Sequence, residues 1–393
     1  MSESRPFHLA VELSGAGRHP AAWRLPDADA AGLLTAAHWA ELVRTAERAG
    51  AVFAAFADSV QPPSAATDVI QARLDATGLA ALLGPLTARI GLVPVTPVTY
   101  AEPFHLAKAL ATIDIVSGGR AGWQVDVAAP AGSGPGDVQA AQFHGRSAAG
   151  AAAQWREAHD VIEVVRRLWD SWEDDAIVLD AATDRYIDRS RVHDVAFAGE
   201  TFSVAGASIT PRSPQGQPVV VARGDAPYAL AVAVAGADVI RVAARDVQGA
   251  ADLVARVRAA VAGSGRPAGS VHVLLDVETL LGADEAAARG RLAELDSLAA
   301  RAFDPSGLHV VAGVDRAADA LADLVELTGV DGIVLQPLAH AGDLALLADE
   351  VSPRLRAQGR LVDRPAPGGP DAPRTLRDAF GLDRPISRYT AAR

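Results

Sequence analysis

Chemistry in this chain would have to come from a few polar residues that close apolar runs. Asp58 ends FAAFAD, Thr96 ends GLVPVT, Gln124 lies in GWQVDV, and Arg223 and Gly224 follow PVVVA. Asp58 carries a carboxylate suited to capping a following helix, Thr96 and nearby Thr99 carry hydroxyls, and Gln124 offers a donor and an acceptor. Asp225 can likewise cap the helix that starts after it. His19, Trp23 and Arg24 form a cluster in which Arg24 would bind an acidic substrate or make a structural salt bridge. His144, in a Gly/Ala-rich loop, is a lone candidate acid or base. Glu102 and His105 stand one helical turn apart and would pair, while Arg120, after Gly118 and Gly119, reads as a fold anchor. No His/Asp/Glu spacing suggests a metal site and no GxSxG a hydrolase, and without cysteine there is no thiolate ligand or disulfide.

For the first set of residues to meet, the strands they end must run side by side and parallel. The stretch Arg89–Val127 supplies one such unit. It reads as a β-branched strand broken by Pro94 and Pro97, a helix over Phe104–Val116 with Pro103 in its first turn, a Gly-Gly stop and a returning strand. Parallel strands need that kind of crossover, and its hand is right. Six similar runs flank it. Strands are expected at His8–Leu13, Val52–Ala57, Pro218–Val221, Asp238–Val242, Val271–Leu281 and Asp331–Leu335, with helices between them, including a long one over Ala152–Trp172. Eight strands each followed by a helix allow a closed barrel or a doubly wound sheet. No strand is followed by GxGxxG, so a (β/α)8 TIM barrel is the better reading. In that fold Asp58, Thr96, Gln124, Arg223 and Gly224 converge on one pocket at the strands' C-terminal ends. The barrel domain would span 1–358, with an insertion at about 175–216. A Pro/Gly/Arg-rich extension, 359–393, would dock on the barrel or a neighbouring subunit through TLRDAFGL.

The 393 residues are 50% hydrophobic and 21% charged, with a net charge of −12, which argues against a nucleic-acid partner. No apolar run is long enough for a membrane helix and no basic leader precedes one at the N-terminus, so a cytoplasmic location is expected.

Six segments, in this order, carry a resemblance: HPAAWRLPD (19–27), FADS (56–59), EPFHLAKALATIDIVSGGRAGW (102–123), LWDSWEDDA (168–176), SPQGQP (213–218) and TLRDAFGLDRP (375–385). The chain resembles the bacterial luciferase-like flavin-dependent monooxygenases, in the branch of nitrilotriacetate, EDTA and dibenzothiophene-sulfone monooxygenases. The resemblance implies a (β/α)8 barrel with insertions, assembled as a homodimer or homotetramer. It implies reduced FMN from a separate flavin reductase and insertion of one oxygen atom into a small organic molecule. It assigns Asp58, Thr96 and Gln124 to the flavin ring and Trp155 to its edge. Arg223, Gly224 and Asp225 fall at the phosphate, and His19, Trp23, Arg24 and His144 at the substrate pocket.

The departures fall at the flavin contacts. The family's Asn-x-Val-Thr-Ser is Gln124-Val125-Asp126-Val127-Ala128 here, the tyrosine before the long helix is Trp155, and Gln-Ala-Gly-x-Ser is Ala222-Arg223-Gly224-Asp225-Ala226. A carboxylate near an anionic ring or a phosphate is repulsive. The segment that covers the pocket in the family is also reduced to about ten residues before VAGVDRAADALADL. The alternative is a divergent barrel that has lost flavin and serves as a cofactor-free biosynthetic enzyme or a non-catalytic binding subunit. A deazaflavin coenzyme is a third option.

Overall fold

A computed structural model describes residues 5–391, apart from 64, 144–146, 268, 301 and 363–373. Eight parallel strands close into a barrel in chain order: β1 (His8–Leu13), β2 (Phe53–Phe56), β3 (Gly91–Pro97), β4 (Gly122–Asp126), β5 (Val219–Arg223), β6 (Val239–Val242), β7 (His272–Gly282) and β8 (Gly332–Pro337). The ring closes where Val11 of β1 pairs with Leu335 of β8. These strands are nearly continuous Val/Leu/Ala runs because one face meets the barrel axis and the other meets helices. After β7 the chain makes helix Glu285–Leu298, a ninth strand His309–Gly313 beside the outer half of β7, and helix Val314–Thr328 before β8.

Local sequence signals set the helix boundaries. Thr35, Asp75, Asp246 and Asp284 each accept an amide N–H at a helix start. The organising unit forms as read: helix Pro103–Val116 is capped by Glu102, which binds the Phe104 amide rather than pairing with His105. Gly118 and Gly119 then turn at φ 69° and 93°. Arg120 anchors that turn, donating to the carbonyls of Gly84, Thr87, Ile90 and Ser117 and to Thr87 Oγ1. Residues 175–216 form two small hairpins, Ile177–Asp180 with Arg185–Ile187 and Phe197–Ala198 with Ser203–Val204.

The N-terminal end of the barrel is filled from below. Leu376, Ala379, Phe380 and Leu382 join Ala10, Phe53, Val93, Val219, Val239, Leu274 and Val334 in one apolar cluster. Thr375 and Asp378 make a capping box that starts the short helix Leu376–Ala379. His272 Nε2 lies 2.8 Å from the Phe380 carbonyl oxygen, and the Phe380 ring packs 4.8 Å from His8. A Cβ at Gly91 would come within 2.6 Å of Leu376 Cδ1, so glycine there makes room for the plug.

Candidate active site

Period-two alternation puts every second strand residue on the barrel axis. At the C-terminal half this brings Glu12, Gln124, Asp126, Arg223, Arg241, Asp276, Glu278 and Gln336 together, just above the apolar cluster. All but Arg241 line a cavity of about 390 Å³ at the mouth, with Arg18, Asp58, Asp225 and Ser306 at its rim.

Arg241 forms the floor of this network and is fully buried. Its Nε donates to Asp276 Oδ1 at 2.8 Å, and its Nη1 donates to Gln124 Oε1 at 2.6 Å and lies 2.7 Å from Glu12 Oε2. Arg223 stands beside it in register on β5 and reaches the other oxygen of Asp276 at 3.1 Å. Arg223 also grips Asp225 through both nitrogens of its fork. Burial works against both guanidinium charges, but Asp276 and the other carboxylates outweigh it and raise both pKa values. Arg18 donates to Glu278 Oε1 at 2.7 Å and to Ser306 Oγ at 2.8 Å, and Gln336 donates to Glu12 Oε1 at 2.9 Å. Asp126 differs from its neighbours. Burial raises its pKa against the opposing pull of the Val127 amide and Arg223.

The predicted residues separate into those that meet and those that do not. Asp58, Gln124, Arg223 and Asp225 share the mouth cavity. Asp58 also accepts the Ser59 and Ala76 amides, so it ties the end of β2 to helix Ala76–Leu83. Thr96 lies off the axis, because Val93 and Val95 occupy the inward positions of β3; its buried Oγ1 has no hydrogen-bond partner. Trp155 packs into the shell between barrel and helices. Gly224 is crowded, since a Cβ there would lie 2.6 Å from Ile240 Cγ2 and its amide donates to the Arg241 carbonyl at 2.8 Å. Asp225 does not cap the next helix: Ala226 is the N-cap, without a side-chain bond, and Pro227 follows.

His19 lines a second cavity of about 390 Å³, which shares Arg18, Ala57 and Asp58 with the mouth. It accepts the Ala21 amide at Nδ1 and lies 3.2 Å from Asp296 through Nε2. Among the described residues Arg24 makes no salt bridge; it donates to the Leu298 and Asp68 carbonyls and lies over the Trp23 ring, whose Nε1 also donates to the Asp68 carbonyl. His144 lies outside the described residues. Among the described residues no cluster could hold a metal ion, and no helix is long and apolar enough to cross a membrane. Glu12, Arg18, Arg241, Asp276, Glu278 and Gln336 are site residues that motif reasoning passed over.

The pattern that describes luciferase-like monooxygenases matches residues 18–356. N-acetyl-S-(2-succino)cysteine monooxygenase of Bacillus subtilis (strain 168) is 27% identical, with 99% of each chain covered. That alignment runs to 449 positions against 393 residues, so more than fifty residues of the relative have no counterpart here. Dibenzothiophene-sulfone monooxygenase of Rhodococcus erythropolis (strain XP) is 29% identical over 81% of this chain and 71% of its own. The solved EDTA monooxygenase of Chelativorans sp. BNC1 superposes with a TM-score of 0.84 at 23% identity, covering 97% of this chain and 99% of that one. With the eight-stranded barrel, the polar mouth at its C-terminal end and a match over most of its length, the chain belongs to the luciferase-like monooxygenase family.

Proposed function

We propose that the protein is a two-component monooxygenase that oxidises a small organic molecule at the barrel mouth, using reduced FMN from a separate reductase. The observation that carries this reading is the family match over residues 18–356 together with a lined cavity at the strands' C-terminal ends. The ring end of a flavin fits the donor set. Arg241 holds the oxygen of Gln124, which turns the Gln124 amide nitrogen toward the cavity as a donor for a ring carbonyl. Reduced flavin, when bound, supplies the electrons and activates dioxygen. The protein's part is to orient the substrate beside Gln124 and Asp58 and to limit water at the mouth.

The phosphate end is altered. Arg223, the last residue of β5, is already tied to Asp225 and Asp276, so a phosphate has to compete with two carboxylates. That pairing favours a second reading, a barrel that has set flavin aside and kept the pocket. One experiment separates them: anaerobic titration of the protein with reduced FMN and reduced riboflavin, followed by flavin absorbance. Saturable binding of either flavin, followed by oxygen-dependent turnover with a reductase, supports the first reading. An unchanged spectrum at high flavin refutes it. The expected assembly is a homodimer, which light scattering checks.

A further inference from the structure

Six carboxylates line the mouth: Glu12, Asp58, Asp126, Asp225, Asp276 and Glu278. Three guanidiniums face them, and each is already engaged. Arg18 is held by Glu278, Arg223 by Asp225 and Asp276, and Arg241 by Asp276 and Glu12. The surplus charge at the mouth is negative. Among the described residues, two atoms of this network lack a hydrogen-bond partner, Glu278 Oε2 and Arg241 Nη2. Glu278 is 1% exposed, and its Oε1 accepts from Arg18 and Ser306, yet its Oε2 is buried without a hydrogen bond. A bare carboxylate oxygen in the interior is costly, and the group that would satisfy it must be a donor. Arg241 Nη2, the unpaired donor of the same network, belongs to a side chain that does not line the cavity. Among the described residues Asp126, across the mouth, is hydrogen-bonded only to the amide of the next residue, Val127, so it too has acceptor capacity to give a ligand.

We propose that the mouth recognises a cationic nitrogen through Glu278 and Asp126, so that the substrate carries a protonated amine or amidine. Polycarboxylates, such as the compounds that name the EDTA and nitrilotriacetate monooxygenases, would meet repulsion in this cavity. The proposal rests on the reading of the mouth as the substrate site, not on the flavin.

The test is calorimetric titration of the full-length protein with benzylamine, benzyl alcohol and benzoate, three probes of one shape and different charge. The expected result is that benzylammonium binds at least about tenfold tighter than the alcohol, with benzoate weakest. Glu278→Gln and Asp126→Asn, both close in shape to the parent, should each shrink that preference while circular dichroism stays unchanged. Benzoate binding as tightly as benzylamine, or a preference that survives both variants, overturns the proposal. Repeating the titration with reduced FMN present keeps the two readings apart. Charge selection without any flavin response sinks the flavin reading alone, and flavin binding without charge selection sinks this one alone.

Discussion

Arg241→Met probes the element on which the whole mouth depends. The side chain is fully buried and gives hydrogen bonds or ion pairs to Asp276, Glu12 and Gln124, each within 2.8 Å. Methionine fills most of the space but leaves Asp276 dependent on Arg223 and Glu12 on Gln336, with Arg18 at 3.9 Å. Removing one member of a buried ion network costs about 3–5 kcal/mol, because the carboxylates left behind stay buried. Unfolding entropy of about 2.1 cal/mol/K per residue converts that, for a chain of this length, to a fall in Tm of about 4–6 °C. Differential scanning calorimetry reads the shift directly. Asp276→Asn in the same chain should recover part of it, since a neutral amide tolerates the missing cation. Arg354→Met, which breaks exposed pairs with Glu350 and Asp315, is the control and should leave Tm unchanged. An Arg241→Met protein that melts within about 1 °C of the parent would show that the network contributes nothing, and the account of the mouth would fall with it.

Gly224→Ala should destabilise the fold by about 1–3 kcal/mol whether or not flavin is present, because the new methyl meets Ile240 Cγ2, and Ile240→Ala should restore part of the loss in a urea melt. Asp225→Asn should free Arg223 and tighten reduced FMN several-fold relative to riboflavin; equal changes for both flavins would place the phosphate elsewhere. Asp126→Asn should raise Tm at neutral pH. Burial lifts the Asp126 pKa above 3.8, so between the unfolded and folded values the native state holds the extra proton and stability falls as pH rises through that window. The gain should vanish below the unfolded value, and a pH-independent gain would contradict the assignment.

The eight barrel strands were legible because each is a short apolar run closed by a turn residue, and runs of that kind separated by amphipathic helices leave few topologies. The strand His309–Gly313 was not, since HVVAG runs straight into the helix that follows it and its pairing is with the far half of an unusually long β7. At the site, Asp58, Gln124 and Arg223 could be found because they close a strand or sit near its end. Thr96 could not be told from an inward residue, because Pro94 and Pro97 blur the alternation and one position of register moves a side chain to the other face. The charged floor was passed over, although its signal is present. Glu12 in AVEL, Arg241 in VIRV, Asp276 and Glu278 in LLDVETLL and Gln336 in IVLQP are charged or amide residues within largely apolar strands. Read at period two, each falls on the axis, and all but Asp276 lie in the C-terminal half of their strand. The pairing of Arg223 with Asp225 lay beyond the sequence, because a side chain two residues before a helix can cap it or turn back, and Asp276 across the barrel tips the choice.

The stopper formed by Leu376, Phe380 and Leu382 has a consequence for biosynthesis. All eight strands leave the ribosome before it does, so a nascent barrel stands with its base open and Phe53, Val93 and Leu274 bordering a wet apolar well. Closure of the ring and filling of its base are therefore separate events in time, and the second waits for residues 376–382. A translation product that stops short of Leu376 would present that well to chaperones or to the wells of its neighbours, so quality control of this protein turns on a seven-residue segment far from its chemistry.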